Sequence, residues 1–335
     1  MKAKPFGRVA AGIGAVVLAG AVAGTAQSAS AATRAPAAVR SALVRAPHVG
    51  NFPSIAVVRG TNNAVFATTG SGFTDLGGRT YDDPAVAVAP NQIYFLAKGT
   101  NDLLYLRDED SGWREILASP VIGTSLTAAY NGAGSLFVTY VDGGNRVIRL
   151  TIGTLSATHP VITATSVGPT SYGAAVNSDG QPLFVSDAYT PGLLGAGTLR
   201  QWNGVVQTPP VDTTDKRFLN CGRERLGTAF ASADFPVGVV VCKSGTDDSV
   251  HFLGNSGPLF LGFGTGRNLG GHIIGSPGIA LQSPVNLNSV VYATGTNHHV
   301  FAKSVLDLGG IFAQGPWVDL GGVAVGGVQA SSWTL

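Results

Sequence analysis

The sequence predicts an all-β fold: a single β-propeller, six four-stranded blades, closed by the C-terminal strand joining the N-terminal blade. Three observations predict it. The first is a recurring hairpin phrase, Gly99-Thr100-Asn101-Asp102-Leu103-Leu104-Tyr105, repeated as Gly60 to Phe66, Gly245 to His251 and Gly295 to Phe301. Gly and Asn tolerate the positive φ of tight hairpin turns, and apolar runs flank each phrase. The second is the spacing. Equivalent turns begin at 60, 99, 142, about 190, 245 and 295, a period of roughly 40 to 55 residues that suits propeller blades or solenoid repeats. The third is an echo, Leu-Gly-Gly, at Leu76, Leu269 and Leu320, with a proline opening the next strand at Pro84 and Pro277.

Each full unit reads as strands a, b, c and d. The second unit has Ala85 to Ala89, Ile93 to Lys98, Leu103 to Arg107 and Trp113 to Leu117. The third has Thr127 to Tyr130, Ser135 to Val141 and Val147 to Ile152. The fourth has Gly173 to Asn177 and Pro182 to Asp187, then a less regular half at Thr198 to Trp202 and Val205 to Gln207 that leaves five or seven blades open. The fifth has Gly227 to Ala231, Val237 to Lys243, Val250 to Leu253 and Leu259 to Gly262. The sixth has Gly278 to Gln282, Ser289 to Ala293, His299 to Lys303 and Trp317 to Leu320. The first unit, Ser54 to Arg59, Val65 to Thr68 and Phe73 to Leu76, has no room for a strand a. Val325 to Thr334 lies where one should follow, so the last strand is expected to complete the first sheet and remove its free edge.

Residues 1–31 carry a basic start (Lys2, Lys4, Arg8), a short apolar run and the small-residue site Ala29-Ser30-Ala31, the pattern of a secretory signal peptide. The run is shorter than the roughly 20 strongly apolar residues of a membrane span. Residues 32–50, rich in Ala, Arg and Pro, read as a disordered linker or pro-segment, and 51–335 as the propeller domain. Without the three basic residues of the leader, 21 Lys and Arg become 18 against 19 Asp and Glu, a net charge of about −1. That speaks against nucleic acid or an anionic membrane as partner. Only 12% of the chain is charged, which fits many half-buried strands. Cys221 and Cys242, in a chain bound for an oxidising compartment, predict one disulfide; two buried thiols are the alternative.

Alternating strand direction puts the b–c and d–a loops on one face. Asn62, Asn63, Asn101, Asp102, Asp247, Asp248, Asn297, His298 and His299 gather there. They read either as turn residues chosen for backbone geometry or as a ligand face, with Tyr105 or Trp333 as an apolar surface to stack on. Phe73, Trp113 and Trp317 recur at the start of strand d and read as inter-blade packing or as sugar platforms. No Gly-x-Ser-x-Gly elbow or His-Glu-x-x-His is present. Of three glutamates, Glu109 and Glu115 fall in a turn and on an outer strand. Glu224, before strand a of the fifth unit, is the one candidate for carboxylate catalysis in a central funnel. Asp108-Glu109-Asp110 reads as a solvated turn or a Ca²⁺ site. No cofactor is implied.

The phrases Asp83-Pro84-Ala85-Val86-Ala87, Gly99 to Tyr105 and Gly112-Trp113, with Ser276-Pro277-Gly278-Ile279-Ala280, Gly295 to Phe301 and Trp317 to Gly322, resemble repeats of bacterial propeller lectins and tectonin-like proteins. The resemblance covers the first, second and sixth units well, the fifth in part and the middle poorly. It implies carbohydrate binding at or between blades without catalysis. The expected function is thus a secreted, extracellular propeller that binds carbohydrate or another ligand through its loop face; the alternative is a hydrolase or lyase acting on a polysaccharide.

Overall fold

The computed structural model describes residues 54–70, 72–117, 121, 124–142, 144, 146–153, 155, 160–169, 173–176, 182–186, 198–201, 221–231, 237–244, 247–256, 267–283, 288–307 and 311–332. Among them the chain is all strand and turn, with no helix. The first strands are β1 (Ser54–Gly60), β2 (Val65–Thr68) and β3 (Thr74–Asp75). The second sheet runs β4 (Ala85–Ala89), β5 (Gln92–Lys98), β6 (Leu104–Asp108), β7 (Arg114–Leu117), and the third β8 (Thr124–Tyr130), β9 (Leu136–Val141), β10 (Arg146–Gly153), β11 (Val161–Pro169). A three-stranded sheet follows: β12 (Gly173–Val176), β13 (Pro182–Ser186), β14 (Thr198–Gln201). The fifth sheet is β15 (Cys221–Ala231), β16 (Val237–Ser244), β17 (Val250–Ser256), β18 (Arg267–Gly270). The sixth holds β19 (Ile273–Ser283), β20 (Asn288–Gly295) and β21 (Val300–Asp307), which pairs with both β22 (Phe312–Gln314) and β23 (Val318–Gly321). These pairs are antiparallel, and the strands introduced so far lie beside near neighbours in sequence within each sheet, as in a β-propeller.

The last strand, β24 (Ala324–Ser332), pairs with β1, with Ala56 opposite Ala330 and Val57 opposite Gln329. The first sheet is therefore ordered β24-β1-β2-β3. It joins the two ends of the described chain, as the missing strand a of the first unit requires.

The sequence pattern of β1, apolar at nearly every position, follows from burial on both faces. Ile55 and Val57 pack with Val65, Ala67 and Leu76 against Val86, Val88, Ile93 and Phe95 of the second sheet. Ala56 and Val58, pointing the other way, pack against Ala280, Val290, Tyr292, Val300 and Ala302 of the sixth. The same kind of packing is seen at two further junctions. Ala85, Ala87, Leu96 and Leu106 meet Leu126, Leu136, Val138 and Leu150 of the third sheet. Val241, Val250 and Phe252 of the fifth meet Ile279, Leu281 and Val291 of the sixth. The described core thus lies between sheets, and both faces of β1 belong to junctions.

Some sequence-level boundaries shift. The fourth strand of the fifth sheet is β18, ending at the Leu-Gly-Gly echo; 259–262 and 205–207 fall outside the described residues. Pro277 lies inside β19, not at its start, where the register slips between Ile274 and Gly278. A bulge tolerates a residue without an N–H. Glu224 lies within β15, not before it, in the stretch between Cys221 and Leu226 where the register also slips. Glu109 is buried rather than solvated, at 5% exposure. The side chains of Cys221, Cys242 and Glu224 lie outside the described residues; their backbones set Cys221 opposite Ser244 and Cys242 opposite Leu226.

Candidate functional site

The hairpin phrase folds the same way wherever it is seen. Gly60 N–H donates to Ala64 O (2.9 Å) and Asn63 N–H to Gly60 O (2.9 Å). Gly99, Leu103 and Asp102 repeat this at 2.8 and 3.0 Å, and Gly295, His299 and His298 at 2.8 and 2.8 Å. The fourth residue, Asn63, Asp102, Asp248 or His298, has φ of 63°, 62°, 56° or 66°. Asn, Asp and His are the non-glycine residues that best tolerate that region. The third residue accepts a backbone N–H two residues on: Asn62 from Ala64 (3.0 Å), Asn101 from Leu103 (3.3 Å), Asp247 from Ser249 (3.1 Å), Asn297 from His299 (3.1 Å). The turn is a type I turn closed by a left-handed residue.

The Leu-Gly-Gly corner is also built one way. Asp75, Asn268 and Asp319, just before the leucine, accept N–H bonds from Gly77, Gly270 and Gly321 at 2.6, 2.6 and 2.7 Å. Two residues past the second glycine, Thr80, Ile273 and Ala324 donate N–H to the carbonyls of Asn63, Asp248 and His298 (2.9, 3.0 and 2.9 Å). This bond ties each corner to the turn of its own sheet. It also makes Arg79, His272 and Val323, the residues between, structurally equivalent.

Between the corner of one sheet and the turn of the next lies a pocket, and three such pockets share one construction. At the junction of the first and second sheets, Gly78 and Arg79 face Gly99, Thr100, Asn101, Tyr105 and Trp113 around about 300 Å³. At the junction of the fifth and sixth, Gly271 and His272 face Gly295, Thr296, Asn297, Phe301 and Trp317 around about 370 Å³. At the junction of the sixth and first, Gly322 and Val323 face Gly60, Thr61, Asn62, Phe66 and Phe73 around about 270 Å³. These volumes fall at the small end of ligand pockets.

Two half-buried aromatic rings wall each pocket, and a glycine makes room for each ring. A Cβ on Gly60, Gly99 or Gly295 would sit 2.5, 2.7 or 2.7 Å from the ring of Phe66, Tyr105 or Phe301. A Cβ on Gly78 or Gly322 would sit 2.8 or 2.5 Å from Trp113 or Phe73, and on Gly271 3.4 Å from Trp317. At the first-second junction Trp113 Nε1 donates to Leu76 O (3.0 Å), an oxygen that Arg107 also reaches. At the fifth-sixth junction Trp317 Nε1 (3.1 Å) and Lys303 Nζ (2.6 Å) share Leu269 O, and the ammonium lies 5.2 Å from the indole centre. Burial pushes the Lys303 ammonium and the Arg107 guanidinium below their ordinary values.

Asn62, Asn101 and Asn297 thus reach pocket rims, but their Oδ1 atoms are held by their own turns. Asn101 Nδ2 donates to the Tyr105 hydroxyl (3.0 Å). Phenylalanine stands at 66 and 301, so no such partner exists there and the amide donors of Asn62 and Asn297 remain at the rim. Asp102 lies 3.6 Å from Lys98, and Asp248 3.1 Å from Lys243. His298 Nδ1 donates to Ala324 O (3.0 Å), while His299 Nδ1 meets Asp319 Oδ2 at 2.9 Å. That bond, with the Gly321 N–H, holds the Asp319 carboxyl below its ordinary range. Trp333 lies outside the described residues. Sequence reasoning passed over Arg79, His272 and Val323; the signal was their fixed place after Leu-Gly-Gly. No group of three or more His, Cys, Asp or Glu placed to hold a metal occurs among the described residues.

No protein-family model matches the chain, and no curated relative matches it. Solved structures do. The SapL1 lectin in complex with α-methyl fucoside is similar over 70% of this chain and 80% of its own, at 12% identity and a TM-score of 0.50. AofleA from Arthrobotrys oligospora matches over 84% and 90%, at 10% identity and 0.49. A Trypanosoma rangeli sialidase mutant with trans-sialidase activity matches over 81% and 52%, at 11% and 0.43. At this identity the likeness to SapL1 is one of fold.

Proposed function

We propose that the chain is a secreted, non-catalytic, six-bladed β-propeller that binds carbohydrate in the pockets between blades. The observation that carries the reading is the threefold recurrence of one pocket. Each combines two ring faces, which suit the C–H face of a sugar, with a threonine hydroxyl, and with amide donors at two of the three rims for sugar hydroxyls. The likeness in fold to a lectin solved with a fucoside is in keeping with this. Six sheets in meander order and the pairing of β24 with β1 support six blades and closure by the last strand. Secretion and a Cys221–Cys242 disulfide belong to the same proposal. They rest on the leader-like first 31 residues and on a register that puts both cysteines at one end of the β15–β16 pair.

A glycan array probed with the secreted chain, with and without Ca²⁺, tests the proposal. Binding confined to one sugar class and independent of Glu224→Gln is the expected result. A blank array overturns it, and turnover of a polysaccharide that Glu224→Gln abolishes overturns it in favour of a hydrolase or lyase.

A further inference from the structure

The three pockets share one construction but differ in charge at one rim position, the residue after Leu-Gly-Gly: Arg79, His272 or Val323. All three are exposed, and Val323 is 56% so. The backbone bond that follows each fixes it at the same place relative to the two rings. His272 Nδ1 lies 3.0 Å from Asp247 O. A carbonyl oxygen can only accept, so Nδ1 carries the proton and Nε2 of the neutral ring is an acceptor. Val323 offers only methyl groups.

Arg79 is different. The other cations of its junction are engaged: Arg107 with Leu76 O, and Lys98 with Asp82 at 4.0 Å and Asp102 at 3.6 Å. Among the described residues no side chain pairs with the Arg79 guanidinium. The one carboxylate of the adjoining turn, Asp102, already faces Lys98. A guanidinium beside two ring faces is the pairing that takes an anionic group on an otherwise stackable ring, because its planar fork binds two oxygens at once.

We infer that the pocket between the first and second sheets, with Arg79 at its rim, selects a saccharide carrying a carboxylate or sulfate, while the other two pockets take neutral sugars. The inference rests on the carbohydrate reading above and gives the ligand class of one of its sites. The occupant is the acidic sugar itself, its ring against Tyr105 and Trp113 and its anion on Arg79. The equivalent positions 272 and 323 supply no fixed charge for such a group.

The test uses the full secreted chain labelled with 5-fluorotryptophan, the Trp113 and Trp317 signals being assigned by Trp→Phe variants. Four probes are titrated: methyl glucuronoside, its uncharged methyl ester, methyl glucoside and methyl glucoside 6-sulfate. At low salt, Trp113 is expected to respond to an anionic probe at roughly five- to tenfold lower concentration than to either neutral one, the advantage shrinking as salt rises. Trp317 should show no such preference. Arg79→Val should abolish the preference, and His272→Arg should confer one on Trp317. Carboxylate against sulfate shows which anion is favoured, and a preference for either supports the inference. If neutral and anionic probes move Trp113 equally, or the preference survives Arg79→Val, the inference is overturned while carbohydrate binding stands. If no probe moves either signal and the array is blank, both readings fall together.

Discussion

The first-second and sixth-first junctions are built from the same turn and the same corner, yet polar bonds hold them in different places. At the first-second junction the polar tie is at the rim: Trp113 and Arg107 both donate to Leu76 O beside the pocket. The equivalent positions at the sixth-first junction are Phe73 and Thr68, which make no such bonds, and the polar groups at that pocket are Thr61 and Asn62 of the turn. Its tie is deep instead, the Tyr292 hydroxyl against Ser54 Oγ at 2.6 Å, joining β20 to β1. The lesson is that the repeat conserves shape at the pocket and lets each junction choose where to spend its polar groups.

The largest break in the comparison should come from the shared core. Phe95→Ala removes a fully buried ring between the first and second sheets. It is expected to cost about 3–5 kcal/mol in denaturant unfolding. Next is the deep tie. Tyr292→Phe strands the buried Ser54 hydroxyl and should cost about 1–3 kcal/mol, with no counterpart at the first-second junction. The same residue gives a pH signature. Burial pushes the Tyr292 phenol up to about 12, above its ordinary value. Its neutral form is therefore favoured by folding, so that contribution is intact below about pH 10 and is lost as pH climbs from about 10 toward 12, on the order of 2 kcal/mol. Wild-type unfolding should weaken over that window, and Tyr292→Phe should weaken less.

Smaller effects sharpen the rim. Gly271→Ala and Gly322→Ala both force alanine to positive φ, 85° and 74°. Only at 322 does the new Cβ strike a ring at 2.5 Å rather than 3.4 Å. Each should lose about 1–2 kcal/mol for the backbone, with a further loss at 322. Trp113→Phe converts the first-second rim to the sixth-first pattern and should cost about 0.5–1.5 kcal/mol beyond the change in ring size, because Arg107 still reaches Leu76 O. His299→Ala should leave the melting temperature at pH 7 unchanged within error. The His299–Asp319 pair is open to solvent, and exposed pairs contribute little.

Much of the fold could be read because its signals are local. The hairpin phrase, the Leu-Gly-Gly corner and the strand lost from the first unit and regained after residue 323 are encoded in turn chemistry and alternation. The placement of β18 was harder. It follows the Arg267-Asn268-Leu269-Gly270 corner, and the more apolar Leu259 to Gly262 draws attention away. Burial of Glu109 depends on neighbouring strands and leaves no local trace. At the site, Asn62, Asn101 and Asn297 were visible as turn residues. That the corner of the preceding sheet completes each pocket was not, because Arg79 and Tyr105 meet only through packing of two sheets. The residue that varies most in charge among the pockets follows the best-kept glycine pair, so a column-by-column comparison of the repeats would have exposed it.

The central claim is that sugars bind between blades. Titration calorimetry with the best array ligand should be run on wild type and on Thr61→Met, Thr100→Met and Thr296→Met. Each of these replaces an exposed threonine that lines one pocket with a chain long enough to fill it. For each pocket that the ligand enters, the measured stoichiometry should fall by one site with the change at that pocket while the melting temperature holds. Unchanged stoichiometry in the triple variant would contradict the account.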